Sequence, residues 1–68
     1  MIYYVDYTYE DESEIIAKVP DLEMALAIGQ AKQKEYKEAG KCGIISAYTI
    51  TGERGFFPMR KYFELWKL

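Results

Sequence analysis

Pro20-Asp21-Leu22-Glu23-Met24-Ala25-Leu26-Ala27-Ile28-Gly29-Gln30-Ala31-Lys32-Gln33-Lys34-Glu35-Tyr36-Lys37-Glu38-Ala39-Gly40 is the stretch whose reading decides the fold. Asp21 can accept a hydrogen bond from the free amides of a first helical turn, Glu23 stands where the helix dipole favours an anion, and Gly40 supplies a left-handed stop. At 100° per residue, Leu22, Met24, Ala25, Leu26, Ile28, Gly29, Tyr36 and Ala39 fall on one apolar arc, opposite Glu23, Gln30, Lys34, Lys37 and Glu38. Ala25 and Gly29 are small enough to let the helix approach its support closely. Lys32 falls inside the arc, so its stem is expected to snorkel past the sheet edge.

On either side of this helix the period changes to two. Met1 to Tyr9 alternates Tyr3, Val5, Tyr7 and Tyr9 with Tyr4, Asp6 and Thr8, which predicts a strand. Glu10-Asp11-Glu12-Ser13 reads as a turn, and Glu14 to Val19 as a second strand with Ile15, Ala17 and Val19 on one side and Glu14, Ile16 and Lys18 on the other. Gly43 to Thr51 gives a third strand. Gly52-Glu53-Arg54-Gly55 is a turn, and Phe56-Phe57 a short fourth strand closed by Pro58.

Beyond Pro58 the apolar residues Met59, Tyr62, Phe63 and Trp66 fall at i, i+3, i+4 and i+7, which predicts a short C-terminal helix; continuation of the fourth strand is the alternative. A right-handed crossover from strand two then gives an α+β fold, a four-stranded antiparallel ββαββ sheet in order 2-1-3-4 with the long helix on one face. Tyr4, Ile16, Ile45 and Ala47 are expected on the other face, to be covered by the C-terminal helix, a second copy of the chain or a partner.

The 68 residues make one domain, 1–68, too small for a deep catalytic cleft, and half of them are hydrophobic, enough to fold. No apolar run approaches the roughly 18 residues of a membrane span, and no signal-peptide pattern opens the chain, so a cytoplasmic location without membrane contact is expected. With no His and a lone Cys42, expected as a buried thiol, the usual zinc sites and His-dependent catalysis are missing; no enzyme and no cofactor are expected. Residues 1–23 carry seven acids against one lysine, net −6, and residues 24–68 eight basic against four acidic residues, net +4.

Two regions stand out for recognition. The acidic hairpin tip, Glu10, Asp11, Glu12 and Glu14, lacks the spacing of a calcium loop but can dock electrostatically on a basic groove. The C-terminal run interleaves Arg54, Arg60, Lys61 and Lys67 with Phe56, Phe57, Tyr62, Phe63 and Trp66, a mixture suited to protein hot spots and to nucleic acid alike. Lys32 and Tyr36, where the last helical turns can clear the sheet, complete the candidate partner-binding set.

In order, length and composition the chain resembles compact ββαββ proteins of phages and other mobile elements, including inhibitors of the anti-CRISPR type. The resemblance is one of outline. It implies a protein-binding module that inhibits by occluding a partner's surface. A nucleic-acid-binding regulator using the basic aromatic C-terminus, and a self-associating module or homodimer using the uncovered sheet face, are the alternative readings.

Overall fold

The computed structural model describes residues 1–52 and 58–68. Five elements follow one another: β1 (Tyr3–Tyr9), β2 (Glu12–Val19), α1 (Leu22–Glu38), β3 (Ile44–Thr51) and β4 (Met59–Lys67). The strands form one antiparallel sheet in the order β2-β1-β3-β4, and α1 crosses over β1 to join β2 to β3. The expected α+β ββαββ topology is therefore present.

The helix begins and ends as its sequence dictates. The Asp21 side chain accepts from the Glu23 amide at 2.9 Å. At the other end Lys41 N–H donates to the Tyr36 carbonyl at 3.0 Å and Gly40 N–H to that of Lys37 at 3.1 Å, with Gly40 at φ 76°. That paired arrangement is a Schellman cap, and it needs a residue tolerant of the left-handed region.

Core packing lies between α1 and one face of the sheet. Val5, Val19, Ala25, Ile45 and Ala47 are buried there, with Tyr3, Tyr7, Ile16, Ala17, Leu26, Ile28, Tyr36, Trp66 and Leu68 packed around them. The approach of helix to sheet is closest at Gly29, where an added Cβ would lie 2.3 Å from the Trp66 ring. Trp66 thus fills the space that glycine leaves. Met24, at the margin of the predicted arc, and Ala39, at the C-cap, are exposed.

Three expectations are corrected. The C-terminal segment is not a helix: Met59–Lys67 is the fourth strand, paired along its length with β3. Its register shifts by one between Ala47 and Tyr48, leaving Phe63 as an extra residue. A strand with one such bulge brings Met59, Phe63 and Trp66 to one side at i, i+4 and i+7, so periodicity could not separate the two, and the free edge of β3 decides for the strand. The shorter strand expected at Phe56-Phe57 lies outside the described residues.

β2 departs from simple alternation, and β3 keeps it but turns the opposite set of residues to the helix from the one expected. A second bulge between Val5 and Asp6 pairs Val5 with Ala17 but Asp6 with Ile15, which turns Ile15 outward and lets Ile16 join the core. Ile45 and Ala47 face the helix, fully buried, while Ser46, Tyr48 and Ile50 take the other side. The turn between β1 and β2 is shorter than expected, since Tyr9 already pairs with Glu12. Glu10 turns the chain with φ 56°.

Candidate functional site

The face of the sheet away from α1 is covered by no described element. Strand registers align its side chains in rows that cross all four strands. One row reads Lys18, Tyr4, Tyr48, Tyr62; its neighbour reads Ile15, Asp6, Ser46, Leu65. Beyond these, Ile44 pairs with Lys67 at one end and Ile50 with Arg60 at the other.

The tyrosine row is a built cluster. Tyr4 and Tyr48 stack, centroids 5.4 Å apart and planes 17° apart, and Tyr62 leans on Tyr48 at 5.5 Å. Arg60 lays its guanidinium 4.4 Å from the Tyr48 ring centre, donates from Nη1 to Asp6 Oδ2 at 3.3 Å, and from the same nitrogen to the Tyr62 hydroxyl at 3.4 Å. Lys18 stands 6.0 Å from the Tyr4 ring centre. Stacking and cation contact of this kind hold flexible side chains in one arrangement.

Among the described residues, Tyr4, Tyr62 and Arg60 pack against Tyr48, and the centre of this face is buried. Tyr48 and Asp6 are each 1% exposed, whereas Leu65 is 56% and Tyr62 48% exposed. Burial pushes the Tyr48 hydroxyl pKa up, reinforced by the Asp6 carboxylate and opposed by Arg60. The Tyr62 hydroxyl, as hydrogen-bond partner, raises that of Arg60, which stays a cation at any working pH. Asp6 Oδ1 is buried with no hydrogen-bond partner among the described residues.

The acidic and basic ends of the chain separate in space as they do in sequence, because β2 and β4 are opposite edges of the sheet. Glu10 and Asp11 form the hairpin tip. Glu12 and Glu14 pair with Tyr9 and Tyr7, and a shallow cavity of about 350 Å³ opens among Tyr7, Tyr9, Glu12, Ser13 and Glu14. Next to it, the Tyr7 hydroxyl donates to the Cys42 carbonyl, the Tyr7 ring meets Tyr36 edge-on at 4.9 Å, and Lys41 lies 4.4 Å from the Tyr36 ring centre. Burial, then Cys42, raises the Tyr7 hydroxyl pKa. Cys42, expected buried, is exposed.

The residues singled out from sequence thus scatter. Arg60, Tyr62 and Lys67 join the open face. Lys61 is on the helix side, 5.7 Å from the Phe63 ring centre, and Trp66 packs under Gly29. Tyr36 serves the packing at the helix end, and Lys32 snorkels to an exposed ion pair with Glu35 at 3.4 Å. Arg54 lies outside the described residues.

Sequence reasoning passed over Lys18, Asp6, Tyr48, Ile50 and Leu65. One signal was there: an aspartate in the middle of a strand otherwise rich in tyrosine and valine has to be matched by a donor from a neighbouring strand.

Among the described residues no group of three or more Cys, Asp or Glu side chains could hold a metal ion, and no helix is long and apolar enough to cross a membrane. No family model matches the chain, and no curated protein or solved structure matches it.

Proposed function

We propose that this chain is a non-enzymatic protein-binding module that docks through the open face of its sheet and acts by occluding the surface it covers. The observation that carries this reading is the composition of that face. Exposed Ile15, Ile44, Ile50, Leu65 and Tyr62 surround a rigid centre of Tyr4, Tyr48 and Arg60. Protein hot spots take this form, with Tyr and Arg anchors at the centre of an apolar patch.

Size supports the same reading. The molecule is a slab with principal extents of 42 × 27 × 14 Å, so its broad face is large enough for the roughly 800 Å² per partner of a standard interface. The outline shared with small phage and mobile-element inhibitors agrees with action by occlusion, since a flat face on a small rigid slab can cover a site without chemistry of its own.

The test is a comparison of variants in capture from lysate of the encoding organism at low salt. Leu65→Asp and Ile50→Asp, both at exposed positions, should each lose the protein that the parent chain retains, while Lys34→Glu on the outer face of α1 should keep it. Capture that survives both sheet variants and fails in the helix variant would move the interface to α1; no stable partner for the parent chain would sink the reading.

A further inference from the structure

We infer that the partner seats a carboxylate on Arg60, and that Asp6 is the residue that positions Arg60 to receive it; the inference rests on the open face being the docking face. Both hydrogen bonds that Arg60 makes with described residues leave from Nη1. Its Nε and Nη2 donate to none of them, and these two nitrogens form the fork edge that binds a carboxylate through two parallel hydrogen bonds. The side chain is 44% exposed, its Nη1 is held by Asp6 and Tyr62, and its plane lies against Tyr48. Little rotamer entropy remains to be lost on binding.

Charge points the same way. The chain as a whole carries −2, yet its open face displays Lys18, Arg60 and Lys67 as cations. Among the described residues its one acid there, Asp6, is buried at 1% exposure and already engaged with Arg60. A complementary surface is therefore acidic.

A phosphate would also fit the fork, but the rest of the face favours a protein. Single-stranded nucleic acid binds by stacking bases on free aromatic faces. Tyr48, at the centre, has none to give, because Tyr4 stacks on it and Arg60 covers it. The apolar margin of Ile15, Ile44, Ile50 and Leu65 matches protein side chains instead.

The experiment is a selection of random 12-residue peptides displayed on phage against the folded chain, followed by affinity measurements on the synthetic winner. Enriched peptides should carry Asp or Glu flanked by apolar residues. Changing that Glu to Gln, or that Asp to Asn, should weaken binding about tenfold or more, the range of a lost charge-assisted pair. Arg60→Lys should lose most of that acid-over-amide preference while retaining the charge.

Asp6→Asn should reduce the preference while leaving affinity for the amide peptide nearly unchanged, which a merely structural role would not do. Tyr62→Phe, at an exposed position, tests the same clamp if Asp6→Asn fails to fold. Acid-free winners that are nevertheless lost in Leu65→Asp overturn the carboxylate and leave the docking face standing. Winners indifferent to Leu65→Asp overturn both. A selection that enriches no acidic peptide, tight binding of a dT15 oligonucleotide abolished by Arg60→Gln, or a dimer dissolved by Leu65→Asp would each overturn the inference in favour of another occupant.

Discussion

The two faces of this sheet draw on the same strands and much the same residue types, yet they achieve burial by different means. On the helix side, Val5, Ile45 and Ala47 are buried because α1 lies on them, and the fit is close enough that one glycine, Gly29, sets the distance. On the open side, Tyr48 and Asp6 reach 1% exposure with no described element lying over them, and Tyr4, Tyr62 and Arg60 pack around the pair. The first face is stabilised by exclusion of water from a continuous apolar layer. The second is stabilised by a small polar and aromatic cluster and leaves its apolar margin wet. A fold can therefore order the side chains on both faces of a sheet while committing only one side to its apolar core.

The largest expected effect lies on the helix side. Gly29→Val would drive a branched side chain into the Trp66 ring, and overpacking of this kind should cost about 3 kcal/mol in urea unfolding at pH 7. Combining it with Trp66→Leu should recover part of that loss. Equal losses in the single and double variants would mean that the close approach is not what limits the helix.

A smaller effect is expected on the open side. Arg60→Met leaves the Asp6 carboxylate buried and unmatched, at a cost of about 1–2 kcal/mol, less than for a fully buried pair because Arg60 is half exposed. Adding Asp6→Asn should restore most of the stability, since the partnerless charge is then gone. A double variant less stable than Arg60→Met alone would show that the pair contributes net stability rather than orientation.

The smallest change at neutral pH is expected for Tyr48→Phe, which keeps the ring stack. Its consequence appears in alkali. The folded Tyr48 hydroxyl has a pKa above the ordinary value of 10.0, so above that pH the folded chain holds a proton that the unfolded chain has released. Stability from this source is complete below about pH 10 and falls as pH rises through the folded value. Tyr7, shifted in the same direction, adds to the fall. Unfolding midpoints measured from pH 9 to 11 should decline less steeply in Tyr48→Phe than in the parent chain; parallel declines would place the alkaline sensitivity elsewhere.

Much of the architecture was legible from local chemistry. Asp21 and Gly40 bracket the helix because capping depends on the residues at its ends, and the strand alternation of Tyr3 to Tyr9 survives intact because β1 is paired on both sides. What misled periodicity were two single-residue bulges. One turned Ile15 outward and Ile16 inward, and the other gave Met59 to Trp66 a helical spacing within a strand. Bulges depend on the partner strand, which local spacing does not contain.

The candidate site was less legible than the fold. Arg60 and Tyr62 stood out as a cation beside aromatics, but Asp6, Tyr4 and Tyr48 come from strands far away in sequence, and only the β2-β1-β3-β4 order brings them into line. By itself, then, the sequence determined a capped amphipathic helix, four extended segments and an acid-to-base charge gradient, all set by residues close together along the chain. Tertiary structure alone decided which face of each strand is core, placed the two charged ends on opposite edges, and assembled the Asp6, Tyr48, Arg60 cluster. Those outcomes rest on cross-strand register, a property of pairs of strands that no single segment carries.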